Sequence, residues 1–536
     1  MDAFTTYLVL FSVIVIVGQL FQRSNIPIGL ILVIVGMLLS YAPFFSAIHL
    51  ESKLVLNIFL PLLIYEISAF SSWHDMKKNL RPIALLSIGH VVFITLLVAY
   101  FVHLLIPQMG WPIAFLLGAI ISPPDDVAIV SIAEKIRIPK RIFIILEGEG
   151  MFNDAAALTI FKLALAAVIT HQFYFSFALF HFVIIMVGEV IYGLLLGHVL
   201  GFLRIRITNT TLHQIVSFMT PFLAYIPIAA LGGTGVISTA IVGFLMGNKY
   251  TLHFTSAYRL SSFSIWPSLA FTIQSLLFLL VGLNMQSTIN RISSIPFSTL
   301  LLYALTLTAV VIIGRFIWVY GAVSILPRLL FPSLRKKDPY PPWQYPFIIS
   351  WAGTRGAISL AAALAVPALF KIDGVDARDL IIFFVFFIIV VTLVVQGLSL
   401  PYVLKKMGID KVSQSERHRE HITELQARLR MVKVALNWLQ ALEKKSANKK
   451  IYNEVIRYVG EYSRLKNEFE LRIQDHHESV PHDEASELYQ KTKLISELSE
   501  IEKLEISKLW REGKISIKTR NKLLGVLDHR LERHLI

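Results

Sequence analysis

The sequence contains no cysteine in its 536 residues. This absence excludes disulfides, thiolate metal sites and cysteine nucleophiles, and it says nothing about the redox compartment. Charged residues are also scarce: they make up 16% of the chain, whereas soluble domains have roughly 25%. Because 55% of the residues are hydrophobic, the composition excludes both an ordinary soluble protein and an intrinsically disordered one.

The few charges are distributed unevenly along the chain. Residues 1–403 carry 23 Lys or Arg and 15 Asp or Glu, while residues 404–536 carry 27 and 21. The sequence therefore predicts a transmembrane domain over residues 1–405 and a soluble tail over residues 406–536. The basic residues of the first part lie in short loops, which does not favour nucleic-acid binding. The N-terminus has no basic region before its apolar run, so we interpret it as a first membrane span and not as a removed signal peptide.

Apolar runs of about 20 residues, the length that crosses a bilayer, recur through the first domain. They predict thirteen spans, at residues 5–22, 26–45, 53–70, 81–106, 111–133, 140–170, 175–203, 212–231, 235–250, 263–287, 296–322, 344–370 and 378–403. Loops after the odd-numbered spans hold sixteen Lys or Arg, and the opposite loops hold four. Positively charged loops stay in the cytoplasm. The N-terminus is thus predicted to lie on the outer side of a cell membrane, and the tail on its cytoplasmic side.

The tail has the periodicity of amphipathic helices, with apolar residues three and four apart. Four helices are predicted, at residues 414–447, 450–475, 483–511 and 516–535. No glycine-rich nucleotide-binding pattern occurs there. We interpret the tail as a helical bundle for regulation or assembly.

Ionisable residues inside the predicted spans are the strongest functional signal. Each costs several kcal/mol at the bilayer centre unless it is paired or lines water. The acids and bases concerned are Glu66, Asp125, Asp126, Glu147, Glu149, Asp154, Glu189, Lys162, Arg315 and Arg355. Glu189 and Lys162 are equally well explained as helix-end charges that reach the membrane surface. The other acids, concentrated between residues 125 and 154, are not.

Two spans are interrupted. Pro123 and Pro124 lack backbone donors and break the fifth span next to Asp125. Gly353, Thr354, Arg355 and Gly356 interrupt the twelfth span. Corresponding interruptions in two halves of a chain are typical of inverted repeats in transporters, where broken helices form the ion site. We expect Arg355 to neutralise the facing helix ends.

The sixth span places oxygen-bearing side chains at mid-membrane, Asn153 and Asp154, and Glu147 shares a helix face with Asp154. Carboxylate and amide oxygens without thiolate or paired imidazole suit a hard cation. A carboxylate withdrawn from water also holds a proton more tightly. The pattern predicts a site that exchanges a proton for a cation.

At these residues the chain resembles the monovalent cation:proton antiporter-1 family, the NhaP-type and sodium/proton exchangers. The similarity covers roughly residues 5–405, and the family also has thirteen spans. The matching segments, in the family's order, are IPIGLILVIVGMLL (26–39), LPLLIYE (60–66), Asp125 followed by VAIV, GEGMFND (148–154), IIGRFIW (312–318) and GTRGAI (353–358). The resemblance implies an all-α antiporter fold with inverted repeats and two broken, crossing helices.

The resemblance also implies roles for individual residues. Asp154 would be the carboxylate that carries the ion and the proton, and Asn153 beside it implies electroneutral exchange of one cation for one proton. Asp125, the Pro124 carbonyl and Glu66 would complete or support the monovalent cation site. Glu149 would pair with Arg315 between the sixth and eleventh spans.

Two departures from the family pattern concern the site. Asp126 stands where the family has proline and adds an acid that could change stoichiometry or selectivity, and Gly150 replaces a serine. The part of Glu147 stays open. The resemblance further implies a homodimer that moves a core bundle within the lipid, with Na⁺ and H⁺ as substrates, no cofactor, no enzyme activity and a variable regulatory tail.

Alternatives remain at this point. A potassium/proton antiporter of the same fold is the nearest, and Li⁺ is a further candidate cation, because selectivity depends on cavity size and flexibility. An intramembrane aspartyl protease needs Y-D and G-x-G-D contexts, which are absent around Asp125 and Asp154. A cation channel would not require proton-exchanging carboxylates.

Overall fold

A computed structural model describes most of the chain. The described residues are 3–21, 24, 26–42, 52–125, 138–170, 175–292, 295–338, 340–367, 371–372, 375–445, 449–477 and 502. The chain divides into two compact units, Met1–Glu416 and Arg417–Ile536.

Helices account for nearly all of the first unit. In its first half they are α1 (Ala3–Phe21), α2 (Ile28–Leu39), α3 (Ser52–Phe70), α4 (Trp73–Lys78), α5 (Leu80–Leu105), α6 (Gly110–Ile121), α7 (Lys140–Thr170) and α8 (Phe175–Ile205). In its second half they are α9 (Thr210–Ala230), α10 (Val236–Phe244, continued by a π-helical segment, Leu245–Tyr250), α11 (Ser256–Leu283), α12 (Met285–Arg291), α13 (Phe297–Leu330), α14 (Pro332–Lys337), α15 (Gln344–Trp351), α16 (Ala357–Leu364) and α17 (Ala377–Lys406).

The described helices make this a multi-pass membrane protein. Eight of them, within the described residues, are long and apolar enough to cross a membrane, and three shorter ones are also apolar. The predicted all-α polytopic fold is confirmed, while the number of thirteen spans and their orientation stay predictions.

Several predicted spans differ from the helices observed; the run predicted at 296–322, for example, continues as a helix to Leu330. The run predicted at 263–287 begins earlier, at Ser256, because the Thr255 hydroxyl accepts a hydrogen bond from the Tyr258 backbone N–H at 3.4 Å and caps the helix. The run at 344–370 is two helices, α15 and α16, with an extended stretch between them. The predicted interruption of that span is therefore present.

Close approach of backbones holds α2 against α11. A Cβ added at Gly36 would lie 3.1 Å from the Gly282 Cα. A Cβ added at Gly282 would lie 2.9 Å from the Gly36 Cα and 2.8 Å from the Met37 backbone N. Because lipid tails are as apolar as the helices, spans associate mainly through such tight packing of small residues. Leu32, Val33 and Leu279, beside this contact, are fully buried.

One short hairpin precedes α17. Its strands, Lys371–Ile372 and Val375–Asp376, pair antiparallel with Ile372 opposite Val375. The Asp376 carboxylate accepts a hydrogen bond from the Arg378 backbone N–H at 2.8 Å. This cap satisfies one of the first free N–H groups of α17.

The second unit contains the described part of the tail. Helix α18 (Ile409–Lys445) begins before the boundary and α19 (Lys449–His477) follows it, near the predicted helices at 414–447 and 450–475. Leu425, Leu436 and Val455 are buried, and Lys433 pairs with Glu470 at 2.8 Å. The predicted helices at 483–511 and 516–535 lie outside the described residues, apart from Glu502, which is helical.

The α2–α11 contact makes a stability prediction. Gly36→Leu should lower the melting temperature of the purified protein in detergent, because the new side chain meets backbone atoms that cannot rotate away. The expected destabilisation is at least about 2 kcal/mol. Gly188→Leu is the matched control, since a Cβ at Gly188 has no neighbour within 4 Å. Equal melting temperatures for the two variants would contradict the packing described.

Candidate functional site

The site begins where α6 ends. Ile121 is the last helical residue, and Pro123 and Pro124 follow without a backbone donor. Proline cannot continue the ladder of helix hydrogen bonds, so the preceding carbonyls need other partners. The Ile121 carbonyl accepts a hydrogen bond from Arg355 Nε at 2.6 Å.

The second interruption lies directly against the first. Helix α15 ends at Trp351, residues 353–356 are extended, and α16 begins at Ala357. The Asp125 backbone N–H donates to the Thr354 carbonyl at 2.7 Å, and the Thr354 hydroxyl donates to the Asp125 carbonyl at 2.9 Å. The two extended segments therefore satisfy each other's backbone groups. Non-helical backbone at membrane depth requires such partners.

Gly356 lets the segments come this close. A Cβ at this position would overlap the carboxylate of Asp125. The glycine adopts an ordinary extended conformation, with φ −120° and ψ −179°. It is required here by space and not by backbone strain.

Arg355 lies between the two interruptions and is 1% exposed. Its Nη1 donates to the Gly353 carbonyl at 2.7 Å, and its backbone N–H donates to the Thr392 hydroxyl at 3.1 Å. Carbonyl groups at a helix C-terminus carry partial negative charge. The guanidinium thus donates to a carbonyl at each interruption, and its expected role in charge compensation stays a prediction.

Asn153 and Asp154 reach this crossing from α7. Asn153 is fully buried and its Nδ2 donates to the Pro124 carbonyl at 2.7 Å. Asp154 is only partly buried, and its charge interacts with that of Asp125. The two carboxylates thus belong to one site. The hydrogen bond from the Asn153 amide to the Pro124 carbonyl positions α7 against the interrupted helix.

A pocket opens beside the two carboxylates. Its lining residues are Leu60, Leu63, Ile64, Ile67, Pro123, Pro124, Asp125, Gly150, Met151, Asp154, Gln274, Gly356, Ile358 and Ser359. Two carboxylates with a neighbouring carbonyl, hydroxyl and amide offer the oxygen ligands that a hard cation prefers. The site contains the groups needed to hold either a cation or a proton.

Gln274 and Ser359 are pocket residues that the sequence analysis missed. The sequence does contain a signal for both residues, since each is a neutral polar side chain in an apolar span. Neutral hydrogen-bonding groups at membrane depth carry the same kind of information as ionisable ones.

A second, smaller pocket adjoins Asp154. It is lined by Ala119, Ile120, Pro123, Asp154, Ala157, Leu158, Phe161, Ile358, Ser359 and Ala362. On α7 this pocket extends toward Phe161, whereas the larger one extends toward Gly150. Asp154 therefore lines both pockets, together with Pro123, Ile358 and Ser359.

Glu66 and Glu147 lie near each other, and the larger pocket's lining does not include them. The Ser71 hydroxyl donates to Glu147 Oε1 at 2.8 Å, and the charges of Glu66 and Glu147 interact. Glu66 is half-buried. The geometry thus groups Glu66 with Glu147, which lies about two turns before Asp154 on α7. Asp126 lies outside the described residues.

Glu149 and Arg315 form a buried bidentate ion pair. Arg315 Nη1 and Nη2 donate to the two carboxylate oxygens at 2.6 and 2.8 Å, and both side chains are at most 2% exposed. Arg315 Nε also donates to the Ile349 carbonyl at 3.0 Å. The pair therefore joins α7, α13 and α15. His90 Nδ1 lies 4.0 Å from Glu149, a contact that sequence analysis did not identify.

Glu189 is not a helix-end charge at the membrane surface, since it is 1% exposed. It accepts hydrogen bonds from the backbone N–H groups of Thr234, Gly235 and Ile237 and from the Thr234 hydroxyl, at 2.5–2.9 Å. A carboxylate at a helix N-terminus satisfies free donors and offsets their positive charge. Lys162 Nζ donates to the adjacent Gly233 carbonyl at 2.5 Å.

Comparison with known proteins identifies the family. The family model described as the transmembrane sodium/hydrogen exchanger matches residues 9–406. The chain belongs to the sodium/hydrogen exchanger family. The resemblance read from the sequence motifs is thereby confirmed, and the family is one of transporters.

Two relatives of this exchanger show how far the similarity extends. The Na⁺/H⁺ antiporter ApNhaP of Aphanothece halophytica is 30% identical over 411 residues, which are 75% of this chain and 74% of that protein. The sodium, potassium, lithium and rubidium/H⁺ antiporter of Bacillus pumilus is 30% identical over 428 residues, which are 74% of this chain and 62% of that protein.

A solved structure shows the same fold. The exchanger superposes on the sodium proton antiporter MjNhaP1 of Methanocaldococcus jannaschii with a TM-score of 0.58 and 18% sequence identity, covering 74% of this chain and 96% of that one. The predicted antiporter fold is therefore confirmed for the membrane part of the chain.

The Glu149–Arg315 pair leads to a test by paired mutations. Removing one partner leaves a buried unpaired charge and costs about 3–5 kcal/mol, whereas removing both is often tolerated. Glu149→Ala and Arg315→Ala should each lower the melting temperature more than the double variant does. Thermal unfolding of the three purified variants measures this. Additive losses in the double variant would show that the pair is not coupled.

Proposed function

We propose that this exchanger is a secondary antiporter that moves Na⁺, and also Li⁺, in one direction across the cell membrane and H⁺ in the other. The observation that carries the proposal is the position of Asp154. It is a partly buried carboxylate that lines two pockets, beside Asp125, at the crossing of two interrupted helices. The name of the Aphanothece relative supports Na⁺ as the cation.

Transport then follows from competition at Asp154. A cation bound to the two carboxylates and a proton bound to Asp154 cannot be held together, since the proton removes the charge that attracts the cation. Each crossing of the membrane carries one of the two. The proposed mechanism needs no cofactor, no covalent chemistry and no partner beyond the ions, the lipid and a second copy of the chain.

The neutral amide of Asn153 supports an exchange of one cation for one proton. Asn153 donates to the Pro124 carbonyl, so it contributes structure to the site without carrying a second proton. The Pro124 carbonyl retains a lone pair for the ion while accepting this hydrogen bond. Asp126 is the residue whose acidity would alter the one-for-one stoichiometry.

K⁺/H⁺ exchange is a second candidate function. The name of the Bacillus pumilus relative includes potassium and rubidium, so a site with this similarity in sequence serves larger cations in that protein. Oxygen ligands on flexible elements accept a range of ion sizes. The choice between Na⁺ and K⁺ is therefore part of the experiment below.

The two pockets support alternating access. In the predicted orientation the larger pocket faces the cytoplasm and the smaller one faces outward. The loop before α10 contacts two charged side chains. Lys162 of α7 donates to the carbonyls of Gly232 and Gly233, and Glu189 accepts from the backbone N–H groups of Thr234 and Gly235. In the proposed mechanism, outward opening would move α7 relative to this loop and release Lys162 from it.

Homodimer assembly and a cytoplasmic regulatory tail complete the proposal. Both rest on the family resemblance and on the distribution of Lys and Arg among the loops. Light scattering of the detergent-solubilised protein measures the mass of the particle, and protease added to sealed right-side-out vesicles tests whether the tail is protected.

The primary experiment concerns Asp154. Asp154→Asn should abolish cation-driven pH change in proteoliposomes while the protein remains folded and inserted, because the amide binds neither ion as a carboxylate does. Na⁺, Li⁺ and K⁺ are supplied in turn to determine selectivity. Asp379→Asn is the control, since Asp379 pairs with Arg291 away from the site. Near-normal exchange by Asp154→Asn would overturn the assignment.

The competition has a pH signature. Raising the proton concentration on the cation side should raise the apparent KM with little change in maximal rate. Each pH unit below the apparent pKa of the carboxylate weakens cation binding about tenfold. Stopped-flow rates at several pH values and cation concentrations measure this, and a falling maximal rate with constant KM would exclude a shared site.

The same vesicles test stoichiometry. One-for-one exchange moves no net charge, so an imposed membrane potential should leave the rate unchanged. A steep response to potential would show that more than one proton moves per cation, and Asp126→Asn should then remove that response. Truncation after residue 410 is the control for the tail and should preserve the pH dependence.

A further inference from the structure

Three arginines surround the carboxylate of Asp338. They lie on α5, α7 and α13, at the side of the membrane domain that is predicted to face the cytoplasm. Asp338 Oδ2 accepts from Arg81 Nη2 at 3.1 Å and from Arg328 Nη2 at 2.8 Å. Asp338 Oδ1 accepts from Arg141 Nη2 at 2.8 Å. One negative charge is thus shared by three positive ones, and the arrangement does not belong to the ion site.

The arginines come from the helices that form the transport site. Arg81 lies at the start of α5, Arg141 at the start of α7, and Arg328 near the end of α13. Helix α7 carries Asp154 and α13 carries Arg315. Occupancy of the cluster therefore acts on the ends of two helices that meet at the crossing.

The cluster has unused donor capacity. Arg81 Nη1 is buried and has no hydrogen-bond partner among the described residues. A buried donor without a partner is unfavourable, and more so when it is charged. Arg141 is about 39% exposed on its side chain, so its guanidinium is accessible from outside the cluster. The nearby acid Asp75 is engaged by Lys140 at 3.5 Å.

A pocket adjoins these donors. It is lined by Arg81, Pro82, Arg141, Ile145, Val323, Ser324, Arg328, Pro341, Tyr345, Pro346 and Ile349. Guanidinium groups bind phosphate oxygens in bidentate fashion. Basic pockets between membrane helices on the cytoplasmic side suit phosphate head groups.

We propose that this pocket, which we call the arginine pocket, binds a phosphate group that takes up the positive charge left by Asp338. The phosphate comes either from an anionic lipid at the membrane surface or from a soluble phosphate, and both present the same oxygens to Arg81 and Arg141. The proposal is independent of the transported cation and of the exchange mechanism.

Phosphate binding to the purified full-length protein tests the proposal. The protein is delipidated in an uncharged maltoside detergent, and inorganic phosphate is titrated calorimetrically. Arg81→Gln and Arg141→Gln should each raise the Kd for phosphate at least about tenfold, because each removes a charged donor. Arg206→Gln is the control, because Arg206 is exposed and contacts the Phe202 ring instead.

Asp338→Asn gives the opposite result if the pocket binds an anion. Removing the competing carboxylate leaves the arginines uncompensated, so the Kd for phosphate should fall by about tenfold or more. This variant decides the question even if an arginine variant does not fold. An Asp338→Asn protein that binds phosphate no more tightly than the unmodified protein overturns the proposal.

Nanodiscs distinguish the two sources of phosphate. If a lipid head group occupies the pocket, phosphate binding should be lost in discs that contain phosphatidylglycerol and retained in discs of phosphatidylcholine alone. If soluble phosphate is the ligand, binding should be equal in both discs. An absence of phosphate binding in detergent and in phosphatidylcholine discs would overturn the proposal.

Discussion

The rest of the membrane unit depends on the hydrogen bonds that join Asp125 to Thr354. Two chain segments leave the helical conformation at membrane depth, where no water is available to satisfy their backbone groups. Each segment supplies the donor that the other lacks, and Gly356 permits the close approach. The prolines interrupt α6 locally, but the contact between the two interruptions is a tertiary one.

Charge compensation around the crossing follows from the same constraint. Arg355 bonds carbonyls at both interruptions, and Arg315 links Glu149 to the carbonyl of Ile349 on the helix that leads into the second interruption. Each of these guanidinium groups uses several donors inside the protein. Burying a cation is favourable only when partners offset the lost hydration. The two partly exposed acids at the crossing, Asp125 and Asp154, line the larger pocket.

Helix α7 connects the different parts of the exchanger. From one end to the other it carries Arg141 in the arginine pocket, Glu149 in the ion pair, Asn153 and Asp154 at the crossing, and Lys162 against the loop before α10. One helix thus carries contacts to each of these parts of the membrane unit.

The amino-acid sequence by itself determined the membrane class, the two interruptions and the acids at mid-membrane. Apolar run length and the missing N–H of Pro123 and Pro124 act in any context, and the motif resemblance added the Glu149–Arg315 pair. Only the tertiary structure decided which acids lie together. Asp125 and Asp154 line one pocket, Glu66 lies near Glu147, and Glu189 accepts hydrogen bonds from the N-terminus of α10. The tertiary structure also brought in Gln274 and Ser359. Periodicity shows which residues share one face of a helix, but the rotation and offset between helices depend on packing across the whole bundle, and those decide which faces meet.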